Sequence, residues 1–288
     1  MKVIRADVMG FCMGVRRAVE AADKTLDANK DRKVFSFGPL IHNPVILSKL
    51  EEKGLFITDE NTVHSIPKDS VVIIRAHGIR PDLKALLDQS RVEIVDATCP
   101  KVVANQKVVK KYSAQGYTII LTGDNGHGEV EGIRGFAENP DRDFFVAGDL
   151  NQALNLLPLI KDKKCVLLSQ TTFSQKEFDS IAQVYTKEIP DLKVMATICS
   201  ATCERQQALE KLALKTDSVI IIGGKKSANT IRLFEKARIL FKKAIHIETA
   251  QEIPDDFYGS DVVGITAGAS TPDFVIEEVE KALLKTSK

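Results

Sequence analysis

Residues 117–132 read YTIILTGDNGHGEVEG, a β-branched apolar run followed by a glycine-rich turn that carries His127 and Glu129. The same order of apolar run, polar turn and helix-like segment recurs along the chain. Further apolar runs are VVII (71–74), VEIV (92–95), CVLL (165–168), SVIII (218–222) and DVVGIT (261–266). Intervening segments such as 44–54 and 204–215 have helical periodicity. Near-continuous apolar strands alternating with helices predict an α/β fold with parallel sheets.

Three cysteines are each followed by polar residues at strand ends, at similar spacing. The first polar residue comes 28 or 30 residues after the cysteine and the second 65 to 72 residues after it. The three sets are Cys12 with His42 and His77, Cys99 with His127 and Thr171, and Cys199 with Ser227 and Ser270. We therefore predict three pseudo-symmetric lobes, each a small parallel sheet flanked by helices. The predicted lobes are residues 1–97, 98–195 and 196–288, the last with a C-terminal helix; the alternative is a chance alignment of a few Cys and His residues.

The composition excludes several classes of protein. The 288 residues include 40 Lys and Arg against 39 Asp and Glu, so the net charge of +1 gives no support for electrostatic binding of nucleic acid. Aromatic residues are 6% and Trp is absent, which disfavours base-stacking surfaces. The apolar runs are far shorter than the roughly 20 residues of a membrane helix, and the N-terminus has no signal-peptide core. We expect a cytoplasmic monomer with neither nucleic acid nor membrane as a partner.

The five cysteines leave metal binding, catalysis and burial open, because their odd number in a chain without an export signal disfavours a disulfide framework. If the three lobes converge, Cys12, Cys99 and Cys199 meet at one point. Three thiolates are incomplete for structural zinc, whereas an iron–sulfur cubane held by three leaves one iron open to substrate. Cys165 opens an apolar strand and is predicted to be core. Cys203 is an alternative to Cys199 as a ligand.

The polar loops suggest acid catalysis and phosphate recognition. Glu129 in the glycine-rich turn is a candidate general acid, with a solvated loop glutamate as the alternative. Ser227 and Asn229 in GGKKSANT, and Ser270 in the segment TAGAS (266–270), offer hydroxyl, amide and backbone donors of the kind that bind anions. No GxxxxGK[ST] loop is present, so ATP is not implied.

Taken together, these segments resemble a known family. The chain is similar to the 4-hydroxy-3-methylbut-2-enyl diphosphate reductases, which catalyse the last step of the non-mevalonate isoprenoid pathway. The similarity extends from about residue 10 to residue 273 and keeps the family's motif order. The motifs are GFCMGVRRA (10–18), HNP (42–44), RAHG (75–78), DATCP (96–100), GHGEVEG (126–132), SQTT (169–172), ICSATCERQ (198–206), KKSAN (225–229) and TAGASTPD (266–273).

The resemblance implies a cofactor and a role for each site residue. It implies one [4Fe–4S] cluster with three ligands, Cys12, Cys99 and Cys199, and an open iron. It implies that Glu129 relays a proton with the help of Thr171. The implied binding residues for the diphosphate and its surroundings are His42, His77, His127, Thr171, Ser227, Asn229 and Ser270. Reductive dehydroxylation would yield isopentenyl and dimethylallyl diphosphate, with ferredoxin or flavodoxin as electron donor.

Three positions depart from the family pattern, which has Pro at Gly128, Ser at Ala228 and commonly His at Asp124. Two rival functions also stay open. One is a zinc- or iron-dependent hydrolase of a phosphorylated small molecule, with the same cysteines and His127 as metal ligands. The other is a trilobed small-ligand-binding protein whose cysteines are merely buried.

Overall fold

The structure is a computed structural model that describes residues 1–285 of the chain. It contains twelve strands: β1 (Lys2–Arg5), β2 (Val34–Phe37), β3 (Leu55–Thr58), β4 (Val71–Ile74), β5 (Glu93–Asp96), β6 (Thr118–Thr122), β7 (Phe144–Ala147), β8 (Cys165–Ser169), β9 (Lys193–Val194), β10 (Ser218–Ile222), β11 (Lys243–Ile247) and β12 (Val262–Ala267). Residues 286–288, which the third predicted lobe includes, lie outside the described residues.

Twelve helices separate these strands: α1 (Met13–Ala28), α2 (Pro44–Glu52), α3 (Pro81–Gln89), α4 (Pro100–Ser113), α5 (Gly128–Arg134), α6 (Pro140–Asp143), α7 (Leu150–Ile160), α8 (Gln175–Glu188), α9 (Ser200–Ala213), α10 (Ala228–Leu240), α11 (Asp255–Tyr258) and α12 (Asp273–Lys285). Short 3₁₀ helices occupy Val63–Ser65 and Ala250–Glu252. None of the helices described is at once long and apolar enough to cross a bilayer.

The strands form three parallel sheets of four strands each, which confirms the predicted α/β class. The first sheet has the order β3-β2-β4-β5, the middle sheet β7-β6-β8-β9 and the terminal sheet β1-β12-β10-β11. Every strand pair is parallel. All strands of one sheet therefore end at the same edge, and the loops that leave them share that edge.

The inner strands explain why the apolar runs are so continuous. All residues of β4, β6 and β8 are buried, because helices cover both faces of each sheet. Edge strands differ from this pattern. β1 and β5 have exposed charged ends, since only one side of an edge strand is paired and charge there opposes pairing with another chain.

The chain divides into two compact units. The terminal unit comprises Met1–Arg16, Ile41–Leu50 and Ser200–Lys288, and the central unit comprises Arg17–Leu40 and Glu51–Cys199. The terminal sheet lies in the terminal unit, and the first and middle sheets lie in the central unit. Pairing of β1 with β12 joins the two ends of the chain in one sheet, with Lys2 opposite Val262.

One side of the middle sheet packs against helices α7 and α8 in a core that includes Tyr185. The Tyr185 ring is fully buried, and its hydroxyl donates to the carbonyl oxygen of Ala153 at 2.7 Å. Burial raises the pKa of the Tyr185 hydroxyl, which therefore stays protonated and a donor. The bond ties α8 to α7 within this core.

Replacing Tyr185 with Phe is expected to lower the free energy of unfolding by about 1 kcal/mol, because a buried hydrogen bond is lost while the ring still fills its space. Chemical denaturation of the purified chain measures this change. Tyr117→Phe is the matched control, since the half-buried Tyr117 hydroxyl makes no hydrogen bond within residues 1–285. Equal stabilities of the two variants would contradict a stabilising role for the Tyr185 bond.

Candidate functional site

Glu129 and Thr171 meet at the carboxyl edge of the middle sheet, because strands β6 and β8 are neighbours and the two residues follow them. The Thr171 backbone N–H donates to Glu129 Oε1 at 2.7 Å, and the Thr171 hydroxyl donates to Oε2 at 2.7 Å. Glu129 is only 1% exposed. One residue thus holds both oxygens of a buried carboxyl group. Such a fixed group, shielded from water, is suited to proton transfer.

Gln170 fixes the turn that precedes Glu129. Its side chain is fully buried, and its Oε1 accepts from the backbone N–H of Asp124 at 2.9 Å. A Cβ atom at Gly123 would lie 2.8 Å from the same Oε1, so the turn needs glycine there. Gln170 was not predicted as a site residue, although it belongs to the SQTT motif (169–172). Its position between two strand ends would have been the signal, but the strand order that places it there is not visible in the sequence.

Cys199 is attached to the Thr171 loop. The Cys199 backbone N–H donates to the carbonyl oxygen of Thr171 at 2.9 Å. Just upstream, the Thr197 hydroxyl accepts from Ser169 N at 2.7 Å and donates to Ser169 O at 2.9 Å. The segment from β9 to Cys199 therefore runs along the end of β8. A predicted metal ligand and the predicted proton donor are connected through a single residue, Thr171.

Cys99 lies at the corresponding edge of the first sheet. It follows β5 and is the N-cap of α4, with Pro100 in the first helical turn. Its backbone N–H donates to the carbonyl oxygen of Ala76, at the end of β4, at 2.9 Å. Asn105 of α4 is buried and donates to Ser169 O at 3.0 Å, at the end of β8. Helix α4 therefore connects the carboxyl edges of the first and middle sheets.

His77 and His127 lie edge to face, with ring centroids 5.0 Å apart and an interplanar angle of 73°. The Nδ1 atom of His127 accepts from the backbone N–H of Glu129 at 3.1 Å. Because Nδ1 is the acceptor, the ring proton of neutral His127 lies on Nε2. His127 is therefore oriented as a neutral hydrogen-bond donor.

His42, Ser227 and Ser270 form a second group of candidate residues, in the terminal unit. The Ser270 hydroxyl lies 3.2 Å from His42 O and 3.5 Å from Ser227 Oγ. Ser227 also caps α10, since its Oγ accepts from Thr230 N at 3.4 Å. A Cβ atom at Gly224 would overlap the carbonyl group of His42, so the close approach of these loops requires glycine at that position.

Asn229 is the buried amide of this second group. It is 5% exposed, and its Nδ2 atom has no hydrogen-bond partner within residues 1–285. Buried donors are nearly always paired, so an unpaired one indicates a place for a ligand or water. Two donors on one amide nitrogen match the several acceptor oxygens of a phosphate group.

Cys12 is held against the same loops. Its backbone N–H donates to Ala269 O at 3.0 Å, and its Sγ accepts from Val15 N at 3.4 Å. The buried Arg205 of α9 donates to Gly10 O at 2.5 Å, and Gly10 has a φ of +76°. The guanidinium therefore fixes the turn before Cys12, where glycine readily adopts the positive φ. Arg205 could not be predicted from local sequence, because its contact lies 195 residues away in the chain.

The candidate residues are thus grouped within each unit. The central unit brings together Cys99, His77, His127, Glu129, Thr171 and Cys199, and the terminal unit brings together Cys12, His42, Ser227, Asn229 and Ser270. Cys165 is fully buried in the core, as predicted, and burial raises the pKa of its thiol to about 11. Cys203 lies half-buried in the first turn of α9.

The chemistry of the three proposed ligands fits an iron–sulfur cofactor. Cys12, Cys99 and Cys199 each immediately precede a helix, α1, α4 and α9 respectively. Helix N-termini stabilise thiolates, the form that binds metals. All three side chains are half-buried, unlike the fully enclosed Cys165, and no disulfide joins cysteines in the described part of the chain.

Comparison with known proteins gives concordant matches over almost the whole chain. The family model described as LytB protein matches residues 3–284. A 4-hydroxy-3-methylbut-2-enyl diphosphate reductase from Treponema denticola is 47% identical, and the alignment covers 99% of this chain and 100% of that relative. The enzyme of the same name from Caldanaerobacter subterraneus subsp. tengcongensis is 41% identical, with 97% of this chain and 95% of that relative covered.

Solved structures of similar proteins agree with this. The structure of E-1-hydroxy-2-methyl-but-2-enyl-4-diphosphate reductase from Plasmodium falciparum superposes with a TM-score of 0.89 at 26% identity, covering 99% of this chain and 87% of that one. A second structure, of (E)-4-hydroxy-3-methyl-but-2-enyl diphosphate reductase, the terminal enzyme of the non-mevalonate pathway, is 36% identical with a TM-score of 0.71. The superposition covers 99% of this chain and 100% of that one.

Proposed function

Because this chain belongs to the LytB protein family, we propose that it is an oxidoreductase that acts on 4-hydroxy-3-methylbut-2-enyl diphosphate. The reaction breaks the allylic C–O bond, forms a C–H bond and releases water. It consumes two electrons and two protons for each molecule of substrate. The products are isopentenyl and dimethylallyl diphosphate, according to which end of the allyl system receives the second proton. The step would complete the non-mevalonate pathway.

The observation that carries this proposal is the buried Glu129–Thr171 pair connected to Cys199. A reductive dehydroxylation needs a proton at the departing oxygen, beside the source of electrons. The pair supplies a fixed acid, and Cys199 supplies a ligand for an electron-carrying cofactor. The comparisons give no support to the hydrolase alternative, since the relatives described above are all reductases.

The positions of the atoms in this pair suggest how the proton moves. Oε1 of Glu129 accepts the Thr171 N–H, so a proton on the carboxyl group resides on Oε2, facing Thr171 Oγ. The Thr171 hydroxyl can then accept that proton and donate its own hydrogen to the leaving hydroxyl. A group that both accepts and donates is what a relay requires. Burial of both residues keeps bulk water from competing.

We propose that Cys12, Cys99 and Cys199 hold one [4Fe–4S] cluster with an iron open to substrate. Thiolate is the usual ligand of such clusters, and the three helix N-termini support the deprotonated form. When bound, the cluster would supply electrons and a Lewis-acidic site. The electron donor we propose is a ferredoxin or a flavodoxin, and we propose that the protein acts as a monomer of three related lobes.

The substrate's diphosphate is proposed to bind through neutral donors. The proposed residues are His42, His77, His127, Thr171, Ser227, Asn229 and Ser270. One observation supports this set: the buried Nδ2 atom of Asn229 has no partner among the residues described.

The experiment that tests this function is purification without oxygen, followed by measurement of iron, zinc and sulfide per chain and by an activity assay. We expect about four iron and four sulfide per chain, broad absorption near roughly 400 nm, and reduction of the substrate with a chemical electron donor. One zinc without sulfide, together with release of phosphate, would favour the hydrolase. A chain that binds no metal even after anaerobic reconstitution would contradict both enzymatic functions.

A further inference from the structure

Arg75 follows strand β4 directly and precedes His77 by two residues. Its guanidinium group fills the space beside two glycines of the central unit. A Cβ atom at Gly38 would lie 2.7 Å from Arg75 Nη1, and a Cβ atom at Gly128 would lie 2.8 Å from Arg75 Cζ. Gly38 follows β2, and Gly128 separates His127 from Glu129. The guanidinium is therefore at the carboxyl edge of the first sheet, against the turn that carries the acid.

This positive charge lacks a partner in the protein. Within residues 1–285, the guanidinium makes no hydrogen bond and no ion pair, and its Nε atom is buried and unpaired. Burial alone lowers the pKa of Arg75, although an arginine still stays charged at neutral pH. The side chain as a whole is partly exposed, but leaving a buried N–H group without an acceptor is destabilising, so such groups are usually paired. The absence of a counter-ion points to a ligand that supplies one.

The carboxyl group of the neighbouring Glu129 accepts from Thr171 at both of its oxygens. Arg80, five residues after Arg75, shows the usual arrangement: it is paired with Glu60 and Asp82. Arg80 thus has counter-ions within the protein, whereas Arg75 has none among residues 1–285.

We propose that Arg75 is an additional binding residue for the diphosphate group of the substrate. A guanidinium can donate two parallel hydrogen bonds to phosphate oxygens, and the Arg75 fork packs against two glycines without a hydrogen-bond partner among residues 1–285. The proposal rests on the proposed function, since it takes the substrate to be an allylic diphosphate. It also accounts for Gly128, because a side chain at that position would displace the guanidinium.

The test compares Arg75→Met with Arg80→Met in the cluster-loaded enzyme. Met keeps much of the apolar stem of the side chain but removes the charge and its donors. We expect Arg75→Met to weaken binding of inorganic diphosphate, measured by calorimetry, about 10- to 100-fold. KM for the substrate should rise by a similar factor, with a smaller change in kcat. Arg80→Met should leave both values as in the wild type.

Stability without ligand distinguishes a binding role from a structural one. If Arg75 is held for a ligand, Arg75→Met should melt at the same temperature as the wild type or higher, because a buried N–H group without a partner is removed. A lower melting temperature with unchanged affinity for inorganic diphosphate would overturn the proposal. Failure of the loaded wild type to reduce the substrate would instead overturn the proposed function, whatever Arg75 does.

A second variant guards against misfolding of Arg75→Met. Gly128→Ala places a methyl group against the guanidinium and should weaken binding of inorganic diphosphate in the wild-type background. In an Arg75→Ala background the same methyl group meets no guanidinium, so it should have little further effect. If Gly128→Ala weakened binding of inorganic diphosphate equally in both backgrounds, its effect would not depend on Arg75, which would contradict the proposal.

Discussion

Replacement of Glu129 with glutamine is expected to lower turnover of 4-hydroxy-3-methylbut-2-enyl diphosphate by at least about 100-fold, the usual contribution of a general acid. Glutamine has the same shape and can keep both contacts to Thr171, with its oxygen accepting from the backbone N–H and its amide nitrogen facing the hydroxyl. The variant should therefore fold, bind its cofactor and bind substrate. It loses only a proton that can be transferred. Single-turnover kinetics with pre-reduced enzyme measures that loss directly.

Glu131→Gln is the matched control for this variant. Glu131 lies two residues after Glu129 in α5 and is partly exposed. Its Oε2 atom lies 3.8 Å from Arg134 Nε. Its replacement should change turnover by less than about twofold, as expected for a surface substitution. A Glu129→Gln enzyme with near-normal turnover would exclude Glu129 as the acid. Loss of cofactor in that variant would show instead that Glu129 is needed for assembly.

Replacement of Cys12, Cys99 or Cys199 with alanine is expected to abolish both the cluster and the activity. If these three cysteines are the only ligands, as proposed, removal of any one leaves at most two covalent bonds between cluster and chain. Anaerobic reconstitution followed by iron and sulfide analysis measures the effect. Visible absorption should fall in parallel with the iron content, while far-ultraviolet circular dichroism should show that the helices persist.

The other two cysteines provide controls within the same chain. Cys165→Ala should keep its cluster, because the buried thiol has a pKa raised to about 11 and stays protonated at neutral pH. The substitution should only lower the free energy of unfolding, by about 1 kcal/mol, as expected for a small deletion in the core. Cys203→Ala should also keep the cluster. Loss of the cluster in Cys203→Ala with retention in Cys199→Ala would transfer the third ligand position to Cys203.

Much of the fold could be predicted because the inner strands carry their pattern locally. A run such as VVII or SVIII is apolar at every position, which a strand covered on both faces requires. The edge strands β3, β7 and β11 were not singled out, since their side chains are only partly buried and resemble loop sequence. The pairing of β1 with β12 could not be predicted either, because local periodicity does not indicate which strands pair when they are 260 residues apart.

The candidate site was predictable to the extent that it follows strand ends. Glu129 and Thr171 were placed at two such ends, and the strand order of the middle sheet explains why they meet. A different reason explains why three residues were not predicted, namely Arg75, Gln170 and Arg205. Arginine and glutamine are ordinary surface residues in most sequences, and only burial and the identity of their neighbours distinguish these three.

The pairing of β1 with β12 has a consequence for the order of synthesis. A ribosome releases residues 2–5 at the start of translation, yet their partner strand emerges only after about nine-tenths of the chain is made. The central unit can complete its sheets earlier, while the first strand waits without a partner. Cys12 waits with it, because its backbone bond is to Ala269. If Cys12 is a ligand, as proposed, the cofactor site is complete only after β12 has been synthesised.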